Sequence, residues 1–307
     1  MRVSTSWAQQ LSVTAMLNQQ ATVTKTQMQL STGLKNITPA DDPIAAKNIL
    51  DFQERIDKTI QYQENADTAK ARNSLEGSVL MNGRESLLRA RDLAVQALNE
   101  GVLKPEDKLA IEAEIRQIQE HVLALANTQD ANGEYIFSGA HSKTPTFSSA
   151  TPYVYQGSGT QRELQIGPDR RIVDGDLGFT IFENIPTASA PPPATRNIFD
   201  TLDAFSDGLT GATLPYHGTV NDALADIDAA LEKIGEAEAR VGARLRALDD
   251  QETQNESYLL AMRSTLSEVQ DLDYAEAISR FELENTVLQA SQQAYVKVQG
   301  LSLFNFL

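Results

Sequence analysis

The sequence contains no cysteine and only three histidines among its 307 residues. The absence of cysteine excludes a disulfide framework, a thiolate zinc site and a cysteine nucleophile together. A chain that crosses an oxidising compartment unfolded would benefit from this composition, although small bacterial proteins often lack cysteine by chance. The chain must therefore be held together by packed apolar surface, for which its 41% of hydrophobic residues is sufficient.

Positive charge is scarce as well. There are 26 Lys and Arg against 42 Asp and Glu, which gives a net charge of -16 and an isoelectric point near 4.6. Such a chain is repelled by phosphate groups, so nucleic acid and anionic membrane surfaces are poor partners. We expect no secretory signal, because the start of the sequence lacks a continuous apolar run. We also expect no membrane span, because no run of about 18 apolar residues occurs.

Both ends of the chain have the pattern of amphipathic helices rich in Gln, Asn and Ala. Near the N-terminus, alternating steps of three and four residues align Val13, Met16, Gln20, Val23, Gln27, Leu30 and Leu34. Near the C-terminus, the same spacing aligns Ile278, Phe281, Asn285, Leu288, Gln292, Tyr295 and Gln299. Seams that mix aliphatic and amide side chains bind weakly but can fix register. We therefore expect both ends to be largely disordered in the isolated monomer and ordered by assembly.

Turn chemistry predicts two joints between helical segments. We expect the first helix to begin at Trp7 and to end at Gly33. Asp42 followed by Pro43 is a strong signal for the start of a new helix. Near the other end the apolar phase breaks, and a capping residue then starts the last helix. The residues assigned to the two joints are Gly33, Asp42, Pro43, Asp271 and Asp273.

Between the joints, the pattern predicts long helices. One is expected from Pro43 to about Asn99, and a second from Pro105 to before Asn132. The strongest periodic signal covers residues 224–269, where mostly apolar residues recur in strict steps of three and four. This spacing is typical of a coiled coil.

The segment from Glu134 to about Asn184 has a different composition, rich in Gly, Pro, Ser, Thr and aromatic residues. Short alternating runs predict strands at 153–155, 163–166 and 171–173. The proline-rich tract 188–194 is expected to be an extended linker, after which Asn197 can cap a short helix. The sequence thus predicts a mainly α fold with a small β-rich insert.

Candidate chemical motifs are few, and each has a simpler structural explanation. His121 lies on a predicted helix without a second ligand within reach, so we predict a structural role for it and not metal binding. The run Gly157-Ser158-Gly159-Thr160 lacks the lysine of a phosphate loop, and Asp174-Gly175-Asp176 lacks the closing glutamate of a calcium loop. We interpret both as turns and predict no catalytic residue, no metal, no cofactor and no enzymatic activity.

Several segments nevertheless carry specific motifs. The segments are Leu30-Ser31-Thr32-Gly33, residues 38–46, residues 91–99 and residues 271–276. In this combination the chain resembles the bacterial flagellar axial proteins, the family that contains flagellin and the hook-filament junction proteins. Residues 132–139 and the ending 301–307 are more similar to a junction protein than to flagellin. At 33–37 the chain departs from the family pattern, since one of two usual basic residues is missing.

The resemblance implies an architecture of layers built from both ends of the chain. It divides the chain into an N-terminal inner-core helix (1–42), a helical middle domain in two parts (43–135 and 196–270), an outer β-rich domain (136–195) and a C-terminal inner-core helix (271–307). The implied assembly interface consists of Val13, Met16, Val23, Leu30, Ile278, Phe281, Leu288, Tyr295, Val298, Leu301 and Phe304.

The resemblance also implies a mechanical function outside the cell. Copies would form a ring in the flagellum, with a proximal junction protein on the hook side and flagellin on the filament side. Export would proceed through the flagellar type III apparatus, with a chaperone covering the C-terminal helix. Two alternatives stay open: a minor flagellin that forms filament, and a cytoplasmic coiled-coil scaffold or signalling module. Self-polymerisation would favour the first, and a purely cytoplasmic location the second.

Overall fold

The computed structural model describes residues 5–98, 104–149, 151–187, 195–210 and 216–300. In these ranges the helices are α1 (Thr5–Thr32), α2 (Pro43–Leu98), α3 (Pro105–Ala126), α4 (Gly178–Phe182), α5 (Ile198–Leu209), α6 (Tyr216–Gln270) and α7 (Tyr274–Gly300). The strands are β1 (Glu163–Gln165), β2 (Arg171–Val173), β3 (Ile185–Pro186) and β4 (Thr195–Arg196). The prediction of a mainly helical fold with a small β insert is confirmed.

Helices α2 and α5 begin where local chemistry predicts. Asp42 caps α2 through one carboxylate oxygen, which accepts hydrogen bonds of 3.0 Å from the backbone N–H groups of Ile44 and Ala45. Asn197 caps α5 by accepting from the N–H of Asp200 at 2.7 Å. Such caps satisfy donors that have no partner inside the helix. Helix α1 begins two residues earlier than the sequence predicts, at Thr5.

The described residues group into two compact units. The first contains the chain up to Lys58 and again from Ser257 onward, and the second is Thr59–Glu256. Both predicted joints lie inside the first unit, because α2 and α6 continue well past them before the boundary.

The core of the second unit is shared by α2, α3, α5, α6 and the connecting segments. Its fully buried large side chains include Leu80, Leu87, Ile115, Phe199, Phe205 and Ile181. Aromatic rings meet edge to face within it: the Phe147 and Phe199 centroids are 5.0 Å apart, and those of Phe137 and Phe182 are 5.4 Å apart. These geometries are preferred by aromatic pairs and add to the burial of their area.

The β-rich segment packs into this same core. Ile136, Phe137, Phe147 and Phe182 belong to the apolar cluster that the helices form, so the sequence interpretation as a separate outer domain differs from the packing. Antiparallel strands β1 and β2 pair Leu164 with Ile172. At the predicted strand 153–155, Tyr155 forms only an isolated antiparallel bridge with Phe147, and the centroids of their rings are 5.6 Å apart. The predicted linker 188–194 lies outside the described residues.

The β1–β2 hairpin contacts α2 and α6 through a second, smaller apolar cluster. Its buried members are Ala66, Ala69, Ile166 and Leu248. Asn255 of α6 donates a 3.1 Å hydrogen bond to the Ile166 carbonyl, and Asn65 of α2 donates one of 2.8 Å to the Gln165 carbonyl. Amide side chains thus satisfy the backbone where the strand meets the helices.

Candidate assembly surface of the terminal helices

The two predicted joints meet in the first unit. Leu34 and Asp271 form an isolated antiparallel bridge. The N–H of Leu272 donates to the Gly33 carbonyl at 2.9 Å, and the N–H of Lys35 donates to the Gln270 carbonyl, also at 2.9 Å. The end of α1 is thereby fixed beside the start of α7.

Two features of this meeting point favour glycine at position 33. Its φ is +71°, in the left-handed region that residues with a Cβ rarely adopt. A Cβ at this position would also lie 2.8 Å from the Tyr274 hydroxyl oxygen. The predicted helix stop is therefore also a place of close approach between the two ends of the chain.

Acidic side chains hold the turns on both sides of the joint. One Asp273 carboxylate oxygen accepts from the N–H groups of Ala275 and Glu276 at 2.9 and 3.2 Å, which caps α7. Asp41 accepts a 2.6 Å hydrogen bond from the Lys25 ammonium and two of 3.1 Å from the N–H and hydroxyl of Thr38. The hydrogen bond from Lys25, followed by the one from the Thr38 N–H, lowers the pKa of Asp41 to about 2.

Beyond the joint, α1 and α7 run antiparallel along a seam that is largely polar. The Thr26 hydroxyl donates a 2.7 Å hydrogen bond to the Glu284 carboxylate, and the Gln19 amide donates to the Glu284 carbonyl at 3.2 Å. The Arg280 guanidinium donates to the Gln29 side-chain carbonyl at 3.1 Å. These contacts specify register. Among the described residues of α1 and α7, the apolar ones that are buried are Val23 and Ala277.

The residues assigned to the assembly interface occupy different positions around this seam. Val23 is buried. Those that are half-buried are Val13, Met16, Leu30, Phe281, Leu288 and Tyr295. Ile278 is 49% exposed, because the neighbouring Ala277 takes the buried position. The side chain of Val298, and all of Leu301 and Phe304, lie outside the described residues.

The polar members of the predicted N-terminal seam are displaced in phase. Gln20 and Gln27 are exposed, whereas Thr26 and Gln29 are buried. Hydropathy does not distinguish one amide or hydroxyl position from the next, so the sequence alone does not identify the buried ones. The polar seam residues Gln19, Thr26, Gln29, Arg280 and Glu284 are those that sequence reasoning missed.

Large apolar side chains remain on the outside of the helix pair. The exposed ones are Trp7, Leu11, Leu17, Met28, Ile278, Leu283, Val287 and Val296. Exposed apolar patches of this kind mark surfaces that bind other proteins. The first unit therefore has an inner seam that holds α1 to α7 and outer faces available to partners.

A network of buried charges in the second unit is centred on Asp174-Gly175-Asp176. Asp174 accepts from Arg162 at 2.8 Å. Asp176 accepts from Arg240 at 3.1 Å and from Arg244 at 2.7 Å. Arginine side chains thus bind both carboxylates of Asp174-Gly175-Asp176, the sequence that resembles a fragment of a calcium loop. The described residues contain no cluster that could hold a metal ion.

Glu76 of α2 is the most deeply buried acid of this network, with 1% of its side chain exposed. It accepts from the N–H of Asp176 at 3.1 Å and lies 3.4 Å from the Arg244 guanidinium. Burial raises the pKa of Glu76 to about 7, and the adjacent Asp176 carboxylate acts in the same direction against Arg244 and Arg240. This carboxyl group therefore titrates near neutral pH.

No helix among the described residues has the length and apolar character needed to cross a membrane. With exposed apolar faces on paired terminal helices, a helical second unit and a small β insert, the structure has the features of a subunit built for assembly.

Comparison with known proteins gives the family. Residues 3–142 match the bacterial flagellin N-terminal helical region, and residues 218–307 match the bacterial flagellin C-terminal helical region. The fold and these matches define a flagellin-type structural protein. The Flagellar hook-associated protein 3 of Escherichia coli (strain K12) is 30% identical over 99% of both chains, and that of Salmonella typhimurium (strain LT2) is 29% identical over the same share.

Among solved structures, FlgL of Xanthomonas campestris is similar with a TM-score of 0.63 and 21% identity, over 70% of this chain and 99% of that one. The chain belongs to the family of flagellar hook-associated protein 3, also called FlgL. The resemblance drawn from the motifs is confirmed at this level, and a structural role in the flagellum follows.

Proposed function

We propose that the protein assembles as a ring at the junction between hook and filament. In this proposal a proximal junction protein binds on the hook side and flagellin binds on the filament side. The E. coli and Salmonella relatives are hook-associated proteins by name. The observation that carries the proposal is the set of apolar side chains that α1 and α7 leave exposed, because only a neighbouring protein in an assembly removes them from water.

The proposed role of the paired terminal helices is to become rigid within that ring. The inner seam buries few apolar side chains and depends on hydrogen bonds such as Thr26 to Glu284. Such a seam gives little net free energy against the entropy of ordering two helices. Neighbouring copies would supply the missing apolar contact. The assembly interface therefore comprises both the seam residues and the outer faces.

The proposal extends to the time before assembly. The protein would be exported through the flagellar type III apparatus and would act outside the cell. An export chaperone would cover α7, whose exposed Leu283, Val287 and Val296 would otherwise associate with other apolar surfaces.

The test is a comparison of flagella in cells that make only a variant protein. Replacing Leu288 and Tyr295 with Asp places two charges in the half-buried seam of α7. We expect hooks without filaments and flagellin released into the medium, while the purified variant keeps the helical second unit. A matched control replaces the exposed Asn82 and Gln96 of α2, in the second unit, with Asp, and it should retain filaments.

Normal filaments on cells that make the Leu288→Asp, Tyr295→Asp variant would contradict the proposal. Long filaments formed by the purified protein alone would instead support a minor flagellin. Cells that lack the protein altogether should likewise show hooks, no filaments and shed flagellin.

A further inference from the structure

The outer face of α1 carries a regular stripe of its own. Leu17, Ala21, Thr24 and Met28 follow in steps of four, three and four residues, on the side opposite to the seam with α7. Leu17 is 55% exposed and Met28 is 49% exposed. Together with Ile37, Thr38 and Asp41 of the following turn, the stripe lines an open groove of about 530 Å³. We name this groove the α1 groove.

Helix α7 carries a second stripe with the same spacing, formed by Leu283, Val287, Ala290 and Ala294. All four are exposed, Leu283 by 65% and Val287 by 42%. They lie on a flank of α7 beside the seam, and we name them the α7 stripe. Positions spaced by four and three residues form one continuous line for a partner helix.

The two surfaces are different patches of one molecule. A two-fold dimer brings the same patch of both copies together, whereas a ring requires two different patches that fit each other. The α1 groove and the α7 stripe match this requirement. Each copy could offer its stripe to one neighbour and its groove to the other.

Charge favours contact between copies at these surfaces. Each chain carries a net charge of -16, so identical copies repel one another over most of their surface. Helix α1 contains a single charged residue, Lys25, whose ammonium is paired with Asp41. The portion 285–296 of α7 contains none. Two copies can therefore approach at the terminal helices with little repulsion.

The register inside one chain predicts which side chains would meet. Hydrogen bonds from Thr26 and Gln19 to Glu284, and from Arg280 to Gln29, define which parts of α1 and α7 lie at the same level. A rotation about an axis along these helices leaves levels unchanged. In such a ring, Leu17 would face Ala290 of the neighbour, Ala21 would face Val287, and Thr24 would face Leu283.

Each of these pairs joins a large side chain to a small one, which allows close helix packing. The geometry points to a head-to-tail contact in which the α7 stripe of one copy occupies the α1 groove of the next. This inference rests on the proposed ring and specifies the surfaces that close it.

The absence of cysteine makes the contact directly testable by crosslinking. Ala21→Cys and Val287→Cys would be introduced together, in cells that make only this variant, and flagella would be isolated and oxidised. We expect a ladder of crosslinked multimers from flagella and none from the unassembled monomer. Flagella containing either single variant should give no crosslink, because each cysteine would then face an apolar side chain.

The matched control is Thr22→Cys with Gln289→Cys, two exposed positions on other faces of the same helices. It should be incorporated equally well and give no ladder. The inference is overturned if Ala21→Cys, Val287→Cys protein in flagella gives no ladder, or if a single variant forms dimers, since the same patch would then meet itself. If the Ala21→Cys, Val287→Cys protein alone fails to enter flagella, Thr24→Cys with Leu283→Cys tests the same register.

Failure of the ring proposal itself would be seen separately. Absence of the unmodified protein and of the control variant from isolated flagella would contradict the ring, whatever the crosslinks.

Discussion

The hydroxyl of Thr26 donates a 2.7 Å hydrogen bond to the carboxylate of Glu284, a residue 258 positions further along the chain. Thr26 is buried, yet the bond occupies a position that an apolar pair would fill in a stable coiled coil. The contact fixes the register of α1 against α7, and its net contribution, about 1.5–3 kcal/mol for a hydrogen bond to a charged group, is small beside the entropy lost when two helices become ordered. The same hydrogen bond thus gives α1 and α7 the register needed for assembly and leaves the seam between them weak.

The first prediction concerns this pair. Replacing Thr26 with Val and Glu284 with Leu should strengthen the seam, since buried polar pairs can often be replaced by apolar ones with a gain in stability. We expect the purified monomer to gain helical signal in circular dichroism and to resist proteolysis at both ends. Thr26→Val alone removes the donor from Glu284 and should give neither gain. Equal helicity of the double variant and the unmodified protein would contradict this reading of the seam.

The second prediction concerns the joint at Gly33. Gly33→Ala places a Cβ in left-handed backbone, at a cost of about 1 kcal/mol, and 2.8 Å from the Tyr274 hydroxyl oxygen. The variant should leave isolated flagella at a lower temperature than the unmodified protein. Adding Tyr274→Phe removes the clashing oxygen and should restore part of the difference, while the backbone cost remains. An unchanged release temperature for Gly33→Ala would argue against close contact at the joint.

The joints could be predicted from the sequence because their chemistry is local. Gly33 ends α1, and Asp42 and Asp273 cap the helices that follow, each within three residues of the groups it binds. The pairing of Leu34 with Asp271 follows only from the fold, although mirrored joints near both ends suggest it.

The residues buried on the terminal helices include polar ones outside the apolar seam described by the sequence pattern. Val23 is buried and Phe281 is half-buried, but Ile278 is exposed. Hydrogen bonds from Thr26 to Glu284 and from Arg280 to Gln29 cross between the helices, and a hydropathy pattern does not select such polar residues for a seam. Polar residues fix the register here, and they do so through partners on the other end of the chain.

The buried charges were missed for a similar reason. Asp174-Gly175-Asp176 has the composition of a turn. Arg162 reaches Asp174 through the pairing of β1 with β2, whereas Arg240 and Arg244 belong to α6 and reach Asp176 only because the β-rich segment packs onto that helix. A spacing rule therefore could not have found this network.

The third prediction is a pH dependence that originates at Glu76. Its pKa is raised from the ordinary 4.5 to about 7, so the folded protein binds this proton more tightly than the unfolded chain. The stabilisation is complete below pH 4.5 and is lost as the pH rises through about 7. The shift corresponds to about 3 kcal/mol in the free energy of unfolding. Urea unfolding of the full chain at several pH values measures it.

Glu76→Gln should make this part of the dependence disappear, because a neutral amide replaces the titrating group. The comparison is the difference between variant and unmodified protein, since Glu183 and Asp200 also have raised pKa values from burial. Glu85→Gln, at an exposed position of the same helix, is the matched control and should leave the profile unchanged. Parallel profiles for Glu76→Gln and the unmodified protein would show that folding does not raise the pKa of Glu76.

The fourth prediction concerns the attachment of the β1–β2 hairpin. Asn255→Leu removes the 3.1 Å hydrogen bond to the Ile166 carbonyl and leaves that buried group without this donor. The expected loss is about 1–3 kcal/mol in the free energy of unfolding, measured with urea. Gln254→Leu changes the exposed neighbouring residue and should be nearly neutral. An Asn255→Leu variant as stable as the control would mean that the hairpin is held by its apolar contacts alone.

Hydrogen exchange on the same protein before and after assembly tests the central claim most directly. In the purified monomer, we expect the amides of α1 and α7 to exchange almost as fast as in an unfolded chain, while those of the second unit are protected. In isolated flagella both terminal helices should be protected. Strong protection of α1 and α7 already in the monomer would contradict the account, because the seam would then be sufficient without neighbours.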